Sequence, residues 1–295
     1  MKRNIISFVF AVVSASLITV GCSKDVSFED PSEVRLSFTY PGLTKASDSG
    51  FDAGDKVGVY ITGYEDGKPS ILQLGGNFAS NVSASFDGTA WTLSPKLYWE
   101  EGAMYDIFAY YPYMDISSVE EQSFSVALDQ NQGATAQQMS TYEASDFLWA
   151  KKAKVEQTAT VPLVFRHKMS KVQVTVLKGE EFEGDIPQNL ELYIHNTVPS
   201  AKIDLSTGDV IKDPHGSVAS IKMKKVSTDT FEAIVVPQRI IYRVPMFEVM
   251  SNDVSYLFET KFIFSQGVCH KVSITLNNNP DQVKIDIGGQ IEGWN

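Results

Sequence analysis

The hydrophobic rhythm of the chain changes twice. Behind Lys2 and Arg3, residues 5–20 form one apolar run broken only by Ser and Thr. It is too short and too one-sided for a comfortable bilayer span, which is the pattern of an export signal. Residues 23–33 are then polar and acidic, with Pro31 interrupting them, and predict a tether. From Val34 onward, short runs rich in β-branched and aromatic residues alternate with clusters of Gly, Asn, Asp and Pro. These runs are 36–40, 57–64, 81–87, 91–99, 105–111 and 123–128, then 161–166, 171–177, 190–195, 218–226, 231–236, 254–264, 268–276 and 283–287. Strands at this spacing, with turn signals between them, predict an all-β chain of the sandwich type.

Asp66-Gly67, Asp87-Gly88 and Gly208-Asp209 supply the positive φ that tight hairpins need. No amphipathic helix of four turns is legible. Residues 129–145 are poor in apolar positions and predict a surface excursion, and the acidic stretch 179–185 marks a domain boundary. The expected organisation is a signal peptide over 1–21, a tether over 22–33, an N-terminal β-sandwich domain over 34–178 and a C-terminal one over 179–295.

Charge and composition narrow the function. The 295 residues hold 25 Lys and Arg against 36 Asp and Glu, a formal net charge of -11. That balance repels phosphate backbones and anionic headgroups, so nucleic acid is not an expected partner. The apolar content of 43% supports a real core and excludes intrinsic disorder. Of the two cysteines, Cys22 directly follows the apolar run and small Gly21, the context in which a lipoprotein signal peptidase cuts before an acylated thiol. Thr19 stands where such signals usually carry Leu. Several acyl chains on Cys22 would hold the protein to a membrane where a single chain would not.

A search for catalytic chemistry returns none. The four histidines, His167, His195, His215 and His270, stand singly, without the i, i+4 spacing that sets two imidazoles on one metal. No Gly-x-Ser-x-Gly elbow occurs. Residues 63–68 imitate the start of a phosphate loop, but Pro69 replaces the hydroxyl that would reach magnesium, so the stretch predicts a hairpin. Asp48, Asp52 and Asp55 hint at calcium, yet Ala53 and Val59 occupy positions that an EF-hand loop needs for Gly and Glu. The expectation is a protein that is not an enzyme and takes no cofactor or metal. The aromatic-rich segment 97–114 admits two readings, a sugar-stacking platform or a core, and alternation around Ile107 and Ala109 assigns most of its rings to a core.

Several segments stand in a telling order: Gly54-Asp55-Lys56-Val57-Gly58-Val59-Tyr60, Trp99 leading to Ala109-Tyr110-Tyr111-Pro112-Tyr113, Asp146-Phe147-Leu148-Trp149-Ala150, and the run from Val161 through Arg166, His167 and Lys168 to Val172. Ile234-Val235-Val236-Pro237-Gln238 and a final Ile291-Glu292-Gly293-Trp294 complete the set. In this order they resemble the fimbrillin (Mfa-like) family of Bacteroidales pilus lipoproteins. The resemblance implies two tandem transthyretin-like β-sandwich domains. It also implies a structural or adhesive subunit of a cell-surface pilus, exported as an outer-membrane lipoprotein through Cys22. Its partners would be other pilus subunits and a host or bacterial surface ligand. The alternative reading is a cell-surface glycan-binding lipoprotein.

Residues 34–40 form a short apolar strand, with Val34, Leu36, Phe38 and Tyr40 on one parity, ahead of the Pro- and Gly-containing stretch 41–48. Such a strand could complete a sheet and yet be cut away. The open edge it left would bind an extended segment of another subunit. In fimbrillins, the resemblance implies, an arginine-directed protease makes this cut and a neighbour's terminal strand fills the groove. Here the matching basic residue is Lys45, with Arg35 the nearest arginine upstream.

Overall fold

The computed structural model describes residues 30–39, 50–135, 138–251 and 254–278, together with the backbone of 284–286 and 292–293. In its first part the strands are β1 (Leu36–Thr39), β2 (Lys56–Glu65), β3 (Lys68–Pro69), β4 (Ala79–Phe86), β5 (Trp91–Ser94), β6 (Tyr105–Tyr111) and β7 (Gln122–Ser125). After the one-turn helix α1 (Thr141–Ala144) come β8 (Leu148–Val155), β9 (Val161–Val164), β10 (Arg166–His167), β11 (Ser170–Lys178), β12 (Glu191–Thr197), β13 (Ser200–Asp204) and β14 (Asp209–Lys212). The last part holds β15 (Ala219–Lys222), β16 (Lys224–Lys225), β17 (Thr230–Val235), β18 (Gln238–Ser251), β19 (Val254–Phe264), β20 (Val268–Leu276), β21 (Lys284–Asp286) and β22 (Glu292–Gly293). The fold is all-β, as the spacing of apolar runs predicts. No helix among the described residues is long and apolar enough to cross a membrane.

The first large sheet runs β10-β8-β6-β2-β4-β5, with β3 folded back on β2 and the parallel pair β1-β9 beside it. The turn from β2 to β3 is the predicted two-residue hairpin: Asp66 and Gly67 take φ of 50° and 74°, and Glu65 faces Lys68. Gly58 sits opposite Tyr110, and a Cβ there would lie 2.2 Å from the Tyr110 ring. Only glycine lets that ring cross the strand.

Every residue of β6 is buried. Its Ile107, Ala109 and Tyr111 share a core with Val57, Val59 and Ile61 of β2 and with Leu36, Phe38, Val161 and Leu163 of the parallel pair. Phe108 and Tyr110, on the opposite face, join a second core with Tyr60, Phe147 and Met169. The same second core continues through Val172, Val174 and Val176 of β11 to Ile194, Phe247 and Phe262.

The later sheets run β16-β17-β11-β20-β21, with β22 also on β20, and β15-β12-β18-β19. A three-stranded sheet β14-β13-β7 connects early and late sequence. β11, which ends at the expected boundary after Lys178, bonds on one side to β17 and on the other, in parallel, to β20. Sheet membership therefore groups β11 with β17 and β20, and β7 with β13 and β14, all later in sequence.

The stretch 129–145 differs from a plain surface excursion. Gln130 is wholly buried, its amide nitrogen donating to the Ile234 carbonyl at 2.7 Å and its oxygen accepting from the Ile234 N–H at 2.8 Å. A side-chain amide thus takes the place of a strand neighbour. Gln238 does the same for Val198. Ser140 and Glu143 close a capping box at the start of α1.

Two carboxylates, buried Asp106 and half-buried Glu232, tie strands together. Asp106 accepts from Tyr64 Oη at 2.7 Å and from the Lys154 N–H at 3.0 Å, with Lys151 Nζ at 3.3 Å. Glu232 lies 2.9 Å from Lys171 Nζ and accepts from Tyr142 and Gln173. Burial alone would raise both pKa values, but these donors and lysines outweigh it and hold both below the ordinary carboxylate range. A carboxylate with a depressed folded pKa stabilises the fold above its unfolded pKa and loses that contribution as pH falls through the folded value. Urea midpoints should therefore decline as pH drops below about 4. Asp106→Asn should be less stable at neutral pH and show a shallower decline; an unchanged slope would remove Asp106 from this account.

Candidate functional site

β1 alternates cleanly. Val34, Leu36 and Phe38 are 3%, 4% and 6% exposed, while Arg35, Ser37 and Thr39 face away from the core. Leu36 lies opposite Val161 and Phe38 opposite Leu163 of β9. The Val161 N–H donates to the Arg35 carbonyl at 2.9 Å and the Phe165 N–H to the Thr39 carbonyl at 2.7 Å. Upstream, the Val34 N–H donates to the Leu97 carbonyl and the Trp99 N–H to the Ser32 carbonyl, so residues 32–34 run against 97–99.

The floor beneath the strand is aromatic. Phe38 meets Trp91 edge-on at 4.8 Å between centroids and stacks on Phe165 at 5.5 Å. Phe51 adds edge contacts to Trp91 at 4.9 Å and to Tyr111 at 5.4 Å. A cleft of about 570 Å³ opens beside these rings, lined by Phe38, Phe51, Phe86 and Trp91 with Gly50 and Gly88. Pairs of this kind add about 0.5–1.5 kcal/mol each beyond their burial.

β9 pairs with β1 and with no other strand among the described residues. Without β1 it would present an unpaired ladder edge above pockets shaped for three apolar side chains, the geometry that accepts an added strand. The sequence-predicted residues Val34, Leu36 and Phe38 are thus brought together on one face. Arg35 immediately precedes β1 and faces away from the core, its guanidinium 3.5 Å from Glu33, which also pairs with Lys96 at 2.8 Å. The Lys96 hydrogen bond chiefly holds the Glu33 carboxyl below its usual range. Cys22, Tyr40 and Lys45 lie outside the described residues. Reading the sequence did not single out Phe51, Trp91 and Phe165 as the floor of this groove, because they come from three separate segments.

The family-like segments 146–150 and 165–170 meet each other. His167 Nδ1 is 2.8 Å from Asp146 Oδ2, and the Lys168 N–H donates to the Phe147 carbonyl at 2.9 Å. Trp149 Nε1 donates to the Leu205 carbonyl at 2.8 Å, and Gly208 has no room for a Cβ against that indole. This pins β8 to the turn before β14. His195 bridges Ser220 at 2.6 Å and Glu248 at 2.9 Å, a polar tie across three adjacent strands of one sheet face. Burial lowers the pKa of His270, which accepts from the Ser265 N–H. Among the described residues no three His, Cys, Asp or Glu side chains gather in a metal-holding group. In the aromatic segment Trp99, Tyr105, Phe108, Tyr110 and Tyr111 are interior, which decides for the core reading, and only Tyr98 and Tyr113 are exposed.

A family model described as fimbrillin-like matches residues 44–294. The chain belongs to the fimbrillin-like family. No curated protein matches this fimbrillin-like chain by sequence. Solved structures share its fold. A Bacteroides ovatus structure described under cell adhesion is 18% identical at TM-score 0.69, covering 90% of this chain and 98% of that one. A Bacteroides uniformis structure of the same description is 20% identical at TM-score 0.67, covering 90% and 100%. A fimbrial protein of Bacteroides vulgatus is 13% identical at TM-score 0.55, covering 89% and 99%. The family match starts at Thr44, so β1 precedes it.

Truncating the central anchor isolates what holds β1. Phe38→Ala should cost about 3 kcal/mol, the usual scale for a buried ring. Amide exchange at residues 34–39 should accelerate far more than exchange in β6. Equal acceleration in both would mean that β1 opens only with the whole domain.

Proposed function

We propose that this fimbrillin-like protein is a structural or adhesive subunit of a cell-surface pilus, not an enzyme. It is exported as an outer-membrane lipoprotein anchored through Cys22 and assembled by strand donation after proteolytic trimming. The observation that carries the reading is the segment leading through β1: three apolar anchors, Val34, Leu36 and Phe38, whose departure would leave β9 without a ladder partner among the described residues. Family membership supports the pilus, and the apolar run ahead of Gly21-Cys22 supports the anchor. Its partners are other pilus subunits and a host or bacterial surface ligand.

Geometry favours one maturation site over the other. A cut at Arg35 would leave Leu36 and Phe38 on the mature chain and the groove filled. A cut after Lys45 removes Val34, Leu36 and Phe38 together.

Protein trimmed after Lys45 should multimerise with its pilus partners, and a peptide spanning residues 33–40 should compete and raise its thermal midpoint. Trimmed protein that does not associate with those partners and ignores the peptide would exclude strand donation. Separately, Cys22→Ala should abolish acylation and release the chain from the membrane fraction. A variant that fractionates and migrates like wild type would overturn the lipoprotein assignment.

A further inference from the structure

β19 is the last strand of the sheet β15-β12-β18-β19, and among the described residues it pairs only with β18. Its outer edge is eleven residues long. The sequence at its centre is Leu257-Phe258-Glu259-Thr260-Lys261-Phe262-Ile263, which reads almost alike in both directions with the charge inverted. We propose that β19 joins two copies of this protein, pairing antiparallel with itself about a two-fold axis through Thr260.

That axis sets Leu257 against Ile263 of the second copy, Phe258 against Phe262, and Glu259 against Lys261. Phe258 and Phe262 are each 4% exposed and point into the core, while Leu257 and Ile263 are 49% and 51% exposed and Glu259 and Lys261 face solvent. The outer face of the joined strands would carry two aliphatic pairs flanking two opposite-charge pairs, the cross-strand combinations that stabilise antiparallel ladders.

The charges also choose the register. Sliding one copy by two residues either way sets Glu259 against Glu259 or Lys261 against Lys261, and a parallel in-register pairing sets like against like throughout. A one-residue slip turns the apolar residues to the wrong face. A lysine on an edge strand commonly serves to repel other chains. Here the glutamate two positions earlier converts that repulsion into selection of one register. Glu259 also lies 3.6 Å from Arg243, but both side chains are well exposed and such a pair is weak. The contact is isologous and closes at two copies, so it is distinct from the open-ended contact at β1 and does not depend on trimming.

Sedimentation of the full chain over a micromolar range tests this. Wild type should dimerise. Glu259→Lys and Lys261→Glu should each raise the dissociation constant at least about tenfold, because each sets two like-charged pairs across the axis. The double variant Glu259→Lys/Lys261→Glu should recover the wild-type constant. Thr260→Cys, which the axis sets against itself, should give a disulfide-linked dimer on oxidation. A wild type that sediments as a monomer, single reversals that dimerise normally while folded by circular dichroism, or a double variant that fails to recover would each overturn the proposal.

Discussion

The architecture depends on β6 being buried on both faces. A strand in an ordinary sandwich spends one face on water, whereas here Ile107 and Ala109 pack under β1 and β9 while Phe108 and Tyr110 pack toward the later strands. The central sheet is therefore shared between two cores rather than owned by one. The absent side chain at Gly58 follows from this, because a ring buried from both sides needs a neighbour that yields space. So does the buried Asp106, which must find Tyr64, Lys151 and the Lys154 amide because water cannot reach it.

Two kinds of edge result, and they are treated differently. β10 covers β8 only at Leu148 and Trp149, and beyond them β8 carries Lys151, Lys152 and Lys154 along exposed positions, which discourages pairing by any other chain. β9 carries no lysine; Pro162, without an N–H, blunts one side of it, and β1 covers the side that donates to Arg35 and Thr39. The contrast makes the β1 groove a place where pairing is prepared for, and the rim of β8 a place where it is refused.

Much of this was legible in the sequence, and the failures have physical causes. Alternation located β1, β6, β11, β19 and β20 nearly to the residue, since each buries one parity or all positions. β8 was hidden because its lysines break the apolar rhythm. β18 was hidden because it bulges twice against β19, between Ile240 and Val244 and again before Phe247, which shifts its parity in mid-strand. Gln130 reads as loop because nothing in a polar residue announces that it will be buried as a strand substitute. The anchors of β1 were legible from their own alternation. Their aromatic floor was not, because contact between Phe38, Trp91 and Phe165 is a property of topology and no local pattern encodes it.

The parallel pairing of β1 with β9 sets an order of events in time. Leu36 leaves the ribosome long before Val161, and a parallel ladder between segments so far apart must close a large loop before it gains any contact. Docking of β1 is therefore expected to follow the meeting of β2, β6 and β8 through their nearer neighbours. A chain built this way reaches its sheet with the acceptor edge still open, and the first strand to be synthesised is among the last to find its place.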